Sequence, residues 1–257
     1  MTVNKFGVMN ELLYILNTNK ESNSETVLAK YLLEHFNQIP ELNIYDVADD
    51  CFINRATVRR FCQSIGLNNF KDFKDEQLPH DYYRSLPDIG DYPDYLSNSL
   101  YSMSKDVNEC LPSYMYLFTH QLHGAKQCVF LVSDIYTSCC GEFQKSMIYF
   151  HKMVRVISSG YQNNEVLKKL DRDDLIIVVS ISGRWAREIK DLLCEYSCKK
   201  ILLTTIHNEF NDKYDNVYYV SQVSQPQIKT VYHQFAVPYV LEVILKLYRD
   251  TYVKTIE

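Results

Sequence analysis

Residues 43–66, NIYDVADDCFINRATVRRFCQSIG, hold two short helical patterns on either side of one turn. Ile44 to Asp50 predicts a short helix with Val47 and the small Ala48 facing inward. Cys51, Phe52 and the apolar Ile53 form the turn. Asn54 then stands where a cap is needed for a second helix that runs to Ile65, with Gly66 as its C-terminal stop. Val58 and Phe61 fall on one face of that helix and leave Arg55, Thr57, Arg59 and Arg60 on the remaining surface. This is the anatomy of a helix-turn-helix.

A helix that reads DNA projects short polar or guanidinium groups from its first turns into the major groove and carries cations towards phosphates. Asn54, Arg55, Ala56 and Thr57 suit the first task. Arg59 and Arg60 suit the second, with Lys71 and Lys74 as outlying phosphate contacts, and no acidic residue interrupts the stretch from Asn54 to Ser64. The expected partner is a double-stranded DNA operator. The competing reading is a three-helix bundle that only packs, its arginines forming a solvated face. The turn itself is unusual, because Cys51 and Phe52 stand where a small residue is common. A bulky residue at positive φ is strained, so either the turn is looser or Phe52 packs in a compensating way.

Upstream, Val27, Leu28, Tyr31, Leu32 and Phe36 recur at helical spacing from Ser24, a suitable N-cap, and Pro40 ends that helix. Residues 1–20 hold only a short apolar patch, Leu12 to Leu16, which is too short to span a bilayer and lacks the basic start and small-residue cleavage site of a leader. The expected location is the cytoplasm. Downstream, Pro79, Pro87, Gly90 and Pro93 among acids and tyrosines mark a linker. A helical segment resumes near Tyr95 and reaches about Leu122, with a kink at Pro112.

From Gln127 the apolar runs CVFLVS, MVRVIS, LIIVVSIS, KILLTTI and VYYV alternate with amphipathic stretches at 142–151 and 186–196, and a closing helix covers about 232–248. Strands without period-2 alternation, separated by helices, predict a mostly parallel sheet covered on both faces. The fold class is therefore α plus α/β: an N-terminal all-α helix-turn-helix bundle (1–78), a linker (79–100) and a C-terminal α/β sandwich (101–257). In open parallel sheets ligands bind at the carboxyl ends of strands, where helix N-termini present N–H groups to phosphate. Ser180-Ile181-Ser182-Gly183, directly after LIIVV and before a helix, is the candidate anion cradle.

RATVRRFCQSIGLNNFKDFK resembles the N-terminal domain of RpiR-family regulators through Thr57, Val58, Arg60, Phe61, Gly66, Phe70, Phe73 and Lys74, a resemblance spanning Ser24 to Leu78. The region from Gln121 to Tyr248 resembles the SIS (sugar isomerase) domain that accompanies it in that family. There a Ser-x-Ser-Gly-x-Thr loop grips a sugar phosphate; Ser180, Ser182 and Gly183 match, Trp185 replaces the threonine, and Arg184 and Arg187 add charge. The family's Gly-x-Gly-x-Ser loop falls on Ser133-Asp134-Ile135-Tyr136-Thr137, so both glycines are gone, Asp134 repels anions, and Ser133 and Thr137 are left to supply hydroxyls. Thr204 and Thr205 resemble the threonine ending the next strand, and Asp215 the acid before the last one. The resemblance implies a regulator responding to a sugar phosphate or related phosphorylated metabolite, assembled as a homodimer or homotetramer. The alternative is a degenerate SIS domain used for oligomerisation alone.

The 257 residues are 46% hydrophobic, enough for two cores, and the formal net charge of -5 argues against a generally basic nucleic-acid coat while leaving room for a local basic face. Eight cysteines without a C-x-x-C pair fit neither a zinc ribbon nor a disulfide framework, and Cys194 and Cys198, a helical turn apart, are two sulfurs without further ligands. His120 and His123 likewise lack a third ligand, so no metal or other cofactor is expected. An isomerase needs a general base, for which Glu142, Glu188, His151, His207 and His233 are available; beside a DNA-reading domain we do not expect an enzyme.

Overall fold

The computed structural model describes residues 5–74, 89–158, 164–224 and 231–253. It divides between Asp88 and Ile89 into two compact units. The N-terminal unit consists of α1 (Lys5–Thr18), α2 (Ser24–Glu34), α3 (Ile44–Asp50), α4 (Arg55–Ser64) and α5 (Phe70–Lys74). The apolar patch near the start of the chain proves to be part of a full helix, α1, packed on α2. Val8, Leu12 and Ile15 recur at i, i+4, i+7 and are buried against Leu28, Ala29 and Leu32. The cap of α2 is Asn23 rather than Ser24, its side-chain oxygen accepting from the Glu25 N–H at 3.2 Å. That helix stops at Glu34, short of Pro40, and a 3₁₀ turn over Phe36–Gln38 follows.

The two helices of the motif keep their expected bounds. Asn43 caps α3 by accepting from the Tyr45 and Asp46 N–H groups, and Asn54 caps α4. Gly66 ends α4 at φ 86: its N–H reaches the Gln63 carbonyl and the Leu67 N–H the Cys62 carbonyl, a Schellman arrangement that occupies carbonyls the helix end would leave bare. Val47, Val58, Phe61, Cys62, Phe70 and Phe73 fill the core beneath. The turn between α3 and α4 is neither loosened nor packed. Phe52 takes φ 55 while its ring is 95% exposed.

In the C-terminal unit, α6 (Tyr92–Cys110) begins well inside the stretch 79–100 expected as linker. Pro93 is no obstacle there, because a first-turn N–H has no intrahelical acceptor to lose, and Asp91 caps the helix at Asp94. The linker prolines Pro79 and Pro87 lie outside the described residues. A 3₁₀ turn at Leu111–Ser113 breaks α6 from α7 (Met115–Gly124), the interruption expected at Pro112. Then follow β1 (Cys128–Val132), α8 (Thr137–Tyr149), β2 (Val154–Ser158), α9 (Asn164–Leu167), β3 (Leu175–Val179), α10 (Arg184–Leu193), β4 (Lys199–Thr204), β5 (Asn216–Tyr219) and, after a π-helical turn at Tyr232–Ala236, α11 (Val237–Tyr252). α8 begins five residues before the expected start at Glu142, carrying Gly141 in its interior, and α10 begins at Arg184 rather than Ala186.

The five strands are parallel in the order β2-β1-β3-β4-β5. Alternate residues face opposite layers. Phe130, Ile177 and Leu203 join the core made with α6, α7, α8 and α11, while Val129, Ile176, Val178 and Leu202 join Ala186, Ile189 and Leu193 of α10. Both faces are buried, which is why the runs read as continuously apolar. The wide π turn rotates the start of the closing helix, burying Tyr232 and Ala236 and leaving Phe235 outward.

Phe52 gives a direct test of backbone strain. A left-handed conformation costs an L-residue about 1–2 kcal/mol, and the entropy of an introduced glycine takes back about 0.5–1 kcal/mol. Phe52→Gly is expected to stabilise the N-terminal unit by about 0.5–1 kcal/mol, measured as slower native-state hydrogen exchange of the α3 and α4 amides. A slowed exchange would be absent if the exposed ring were holding the turn.

Candidate nucleic-acid interface and anion loop

The outer surface of α4 is a continuous arc formed by Arg55, Ala56, Arg59, Arg60 and Gln63, all exposed, opposite the buried Val58, Phe61 and Cys62. Asn54 is a structural cap: its Oδ1 accepts from the Thr57 N–H at 2.9 Å and from the Thr57 hydroxyl at 3.1 Å. Thr57 in turn accepts from Arg60 Nη2 at 3.4 Å. Asn54 Oδ1 and the Thr57 hydroxyl are therefore both engaged within the helix, whereas Arg55 and Arg59 point their charge outward from it. Arg55 lies over the ring of Tyr45 on α3, 4.5 Å from Cζ to centroid. Lys71 is exposed at the start of α5; the side chain of Lys74 lies outside the described residues. The nearest acids are partly engaged elsewhere, Asp50 with the Tyr31 hydroxyl at 2.6 Å and Asp46 with Asn43. Gln63 and Tyr45 were not singled out from the sequence, since neither carries charge and Tyr45 lies on the other helix.

In the C-terminal unit the chain leaves β1 towards β2 on one side and returns to β3 on the other, so the topological switch point lies between the carboxyl ends of β1 and β3. Such crevices are where open α/β sheets bind ligands. The loop 133–137 and the loop 180–184 flank it. The π turn joins them, the Tyr136 hydroxyl lying 3.0 Å from His233 Nδ1.

Several hydroxyls assigned to a ligand have other duties. Ser180 is buried and its Oγ accepts from the Ala186 N–H at 3.1 Å, capping α10. Thr204 and Thr205 are also buried; both donate to the Ile181 carbonyl, and Thr204 accepts from the Ile206 N–H. They fasten the end of β4 to the loop after β3. Gly183 has φ 73, and a Cβ there would stand 2.8 Å from Ile206 Cγ1, so its lack of a side chain admits a neighbour of the core. Arg187 forms a bidentate pair with Glu209 at 2.5 and 2.6 Å, and its guanidinium holds the Glu209 carboxyl below the usual carboxylate range.

The remaining polar groups are fewer. Ser182 and Arg184 are exposed at the start of α10, and Ser133 is half-buried. Thr137 Oγ1 is buried without a hydrogen-bond partner among the described residues. The side chain of Asp134 lies outside the described residues. Tyr136, in the loop that lacks both of the glycines of the resemblance, is buried in the core.

Other candidates are placed away from this crevice. His120 and His123 meet Tyr252 and Tyr248 of α11, and His207 stacks on Tyr219. All eight cysteines are free thiols, Cys194 bonding the Lys190 carbonyl. Among the described residues no group of His, Cys, Asp and Glu has the arrangement of a metal site, and no helix is long and apolar enough to cross a membrane.

Burial, with the charge of Arg184 added, pushes the His233 imidazole down from 6.5 to about 4. A depressed histidine is neutral in the fold while its unfolded form takes up a proton, so stability declines as pH drops from about 6.5 towards about 4 and no further below that. The expected loss is up to about 3 kcal/mol. Urea unfolding followed by the fluorescence of Trp185, the single tryptophan, should show it, and His233→Asn should flatten the pH dependence over that window.

Comparison with known proteins places these features. The helix-turn-helix domain of the rpiR family matches residues 9–80. An uncharacterized HTH-type transcriptional regulator of Caldanaerobacter subterraneus subsp. tengcongensis is 39% identical over 51 residues, covering 20% of this chain and 18% of that protein. The HTH-type transcriptional regulator GlvR of Bacillus subtilis is 22% identical over 171 residues, covering 64% of this chain and 63% of GlvR. The chain therefore spans less than two thirds of the length of these relatives. The structure of the Vibrio vulnificus NanR protein complexed with ManNAc-6P superposes with a TM-score of 0.51 at 17% identity, covering 95% of this chain and 92% of that one, a likeness of fold. With its capped α4 and exposed arginine arc, the N-terminal unit is similar over residues 9–80 to the helix-turn-helix domain of the rpiR family.

Proposed function

We propose that this chain is a DNA-binding transcriptional regulator whose α/β unit binds a sugar phosphate or related phosphorylated metabolite and thereby changes DNA affinity. The observation that carries the reading is the acid-free arc of Arg55, Arg59 and Arg60 on a helix capped at its N-terminus. The regulators matched by sequence support the DNA-binding half, and the ManNAc-6P held by the NanR protein supports the class of effector. Ser182, Arg184, Thr137 and Ser133 are the groups we assign to the effector, at the switch point between β1 and β3. We read this unit as binding without turnover, because it is joined to a domain similar to DNA-reading helix-turn-helix domains. Pairing of C-terminal units into a homodimer or homotetramer would place two α4 helices over a palindromic operator in the cytoplasm.

A second reading has a specific observation behind it: a sensor domain retained for oligomerisation alone. Ser180, Thr204, Thr205, Gly183 and Arg187 are all engaged within the protein, and the first loop lacks both glycines of the resemblance. A ligand that binds only the folded state at a hundred times its Kd adds about 2.7 kcal/mol. A panel of hexose and amino-sugar phosphates is expected to contain a member that raises the melting temperature, with Arg184→Ala abolishing the shift. If no member shifts it, the oligomerisation reading stands.

For the DNA-binding half, fluorescence anisotropy on duplexes from the gene's own upstream region should give affinity that falls with salt. Arg60→Ala should lower the magnitude of the log Kd against log salt slope by about 1 if it neutralises one phosphate, with sequence preference unchanged. Arg55→Ala should instead relax preference at one base pair, costing about 1–3 kcal/mol. Absence of binding at low salt, with both variants indistinguishable from the unmodified chain, would reduce the N-terminal unit to a packing module.

A further inference from the structure

We infer that Tyr45 is a specificity-determining positioning residue: it holds Arg55 in one orientation so that the guanidinium reads a single base pair, guanine by the chemistry of its O6 and N7 acceptors. The inference rests on the DNA-binding reading and concerns a residue on the other helix of the motif. Arg55 is the first residue of α4, directly after its cap. A cation there meets the positive end of the helix dipole, so helix stability does not account for it. Among the described residues no carboxylate lies within ion-pair distance of Arg55 and none of its N–H donors is hydrogen-bonded, although Asp46 and Asp50 lie on the neighbouring helix. What engages it is the Tyr45 ring, 4.5 Å from Cζ.

Attraction between a cation and a ring quadrupole restrains the guanidinium without using its N–H donors. An unrestrained arginine loses side-chain freedom on binding, and a prearranged one loses less. Tyr45 is itself well fixed for this task. Its N–H donates to the Asn43 cap at 2.8 Å, so the backbone that carries the ring is held by the asparagine cap of α3, as that of Arg55 is by the asparagine cap of α4. The ring is 58% exposed, so packing in the core does not explain an aromatic residue at this position.

The test uses the full chain and a duplex that the unmodified chain selects from a randomised library. Tyr45→Leu is expected to weaken binding to that duplex about fivefold, the equivalent of about 1 kcal/mol, and to relax preference at the same base pair that Arg55→Ala relaxes. Tyr45→Trp should retain both affinity and preference, and the double variant Tyr45→Leu with Arg55→Ala should bind no worse than Arg55→Ala alone. Additive losses, an unchanged preference in Tyr45→Leu, or an equal loss on selected and scrambled duplexes would overturn the inference while leaving the regulator reading in place. Failure of the unmodified chain to select any sequence overturns both. An unchanged circular-dichroism melt of Tyr45→Leu separates these losses from unfolding.

Discussion

Parallel pairing of β1 with β3, from Cys128 opposite Leu175 to Val132 opposite Val179, brings two loops of distant sequence to one crevice. Because the strand order reverses there, neither loop is covered by the connection that follows it. The same pairing requires apolar side chains on both faces of β1 and β3, and every residue of these two strands is buried. Helices must then lie on both sides, which puts α10 on one face and α8 with α11 on the other. The start of α10 and the π turn before α11 thus arrive at the crevice as a consequence of covering the sheet.

That crevice illustrates how one set of polar groups can serve stability or recognition. Buried hydroxyls need partners, and in this chain Ser180, Thr204 and Thr205 find them in the backbone of the loop after β3. These bonds tie the loop after β3 to the end of β4 and to the start of α10. Gly183 shows the same division, its open side occupied by Ile206 and Phe210. Under the proposed function a phosphate at this site would find few free donors, and Arg184 and Ser182 are the exposed groups we assign to it.

The N-terminal unit divides labour differently. Asn54 and Gly66 terminate α4 through local bonds, and Val58, Phe61 and Cys62 anchor it to the unit's core. The opposite arc is then free to carry charge with no cost to packing. The exposed, left-handed Phe52 is the one place where the motif holds strain without an evident return, and nothing in the structure explains its ring.

Features set by near neighbours in the chain were readable from the residues: the bounds of α3 and α4, the glycine stop, the break at Pro112 and the parallel character of five apolar runs. Helical period, capping residues and continuous apolarity are local signals. Less was readable where polar residues flank a helix, as in α1, or where a proline is harmless because it stands in a first turn, as Pro93 does. The availability of each candidate group at the site was not readable at all. Whether Thr205 faces a ligand or the Ile181 carbonyl 24 residues away, and whether Tyr136 meets His233 97 residues away, depends on which strands lie side by side. Hydrogen-bond partners of buried groups are assigned by packing across the sheet, and residue type names only what each group is able to donate or accept.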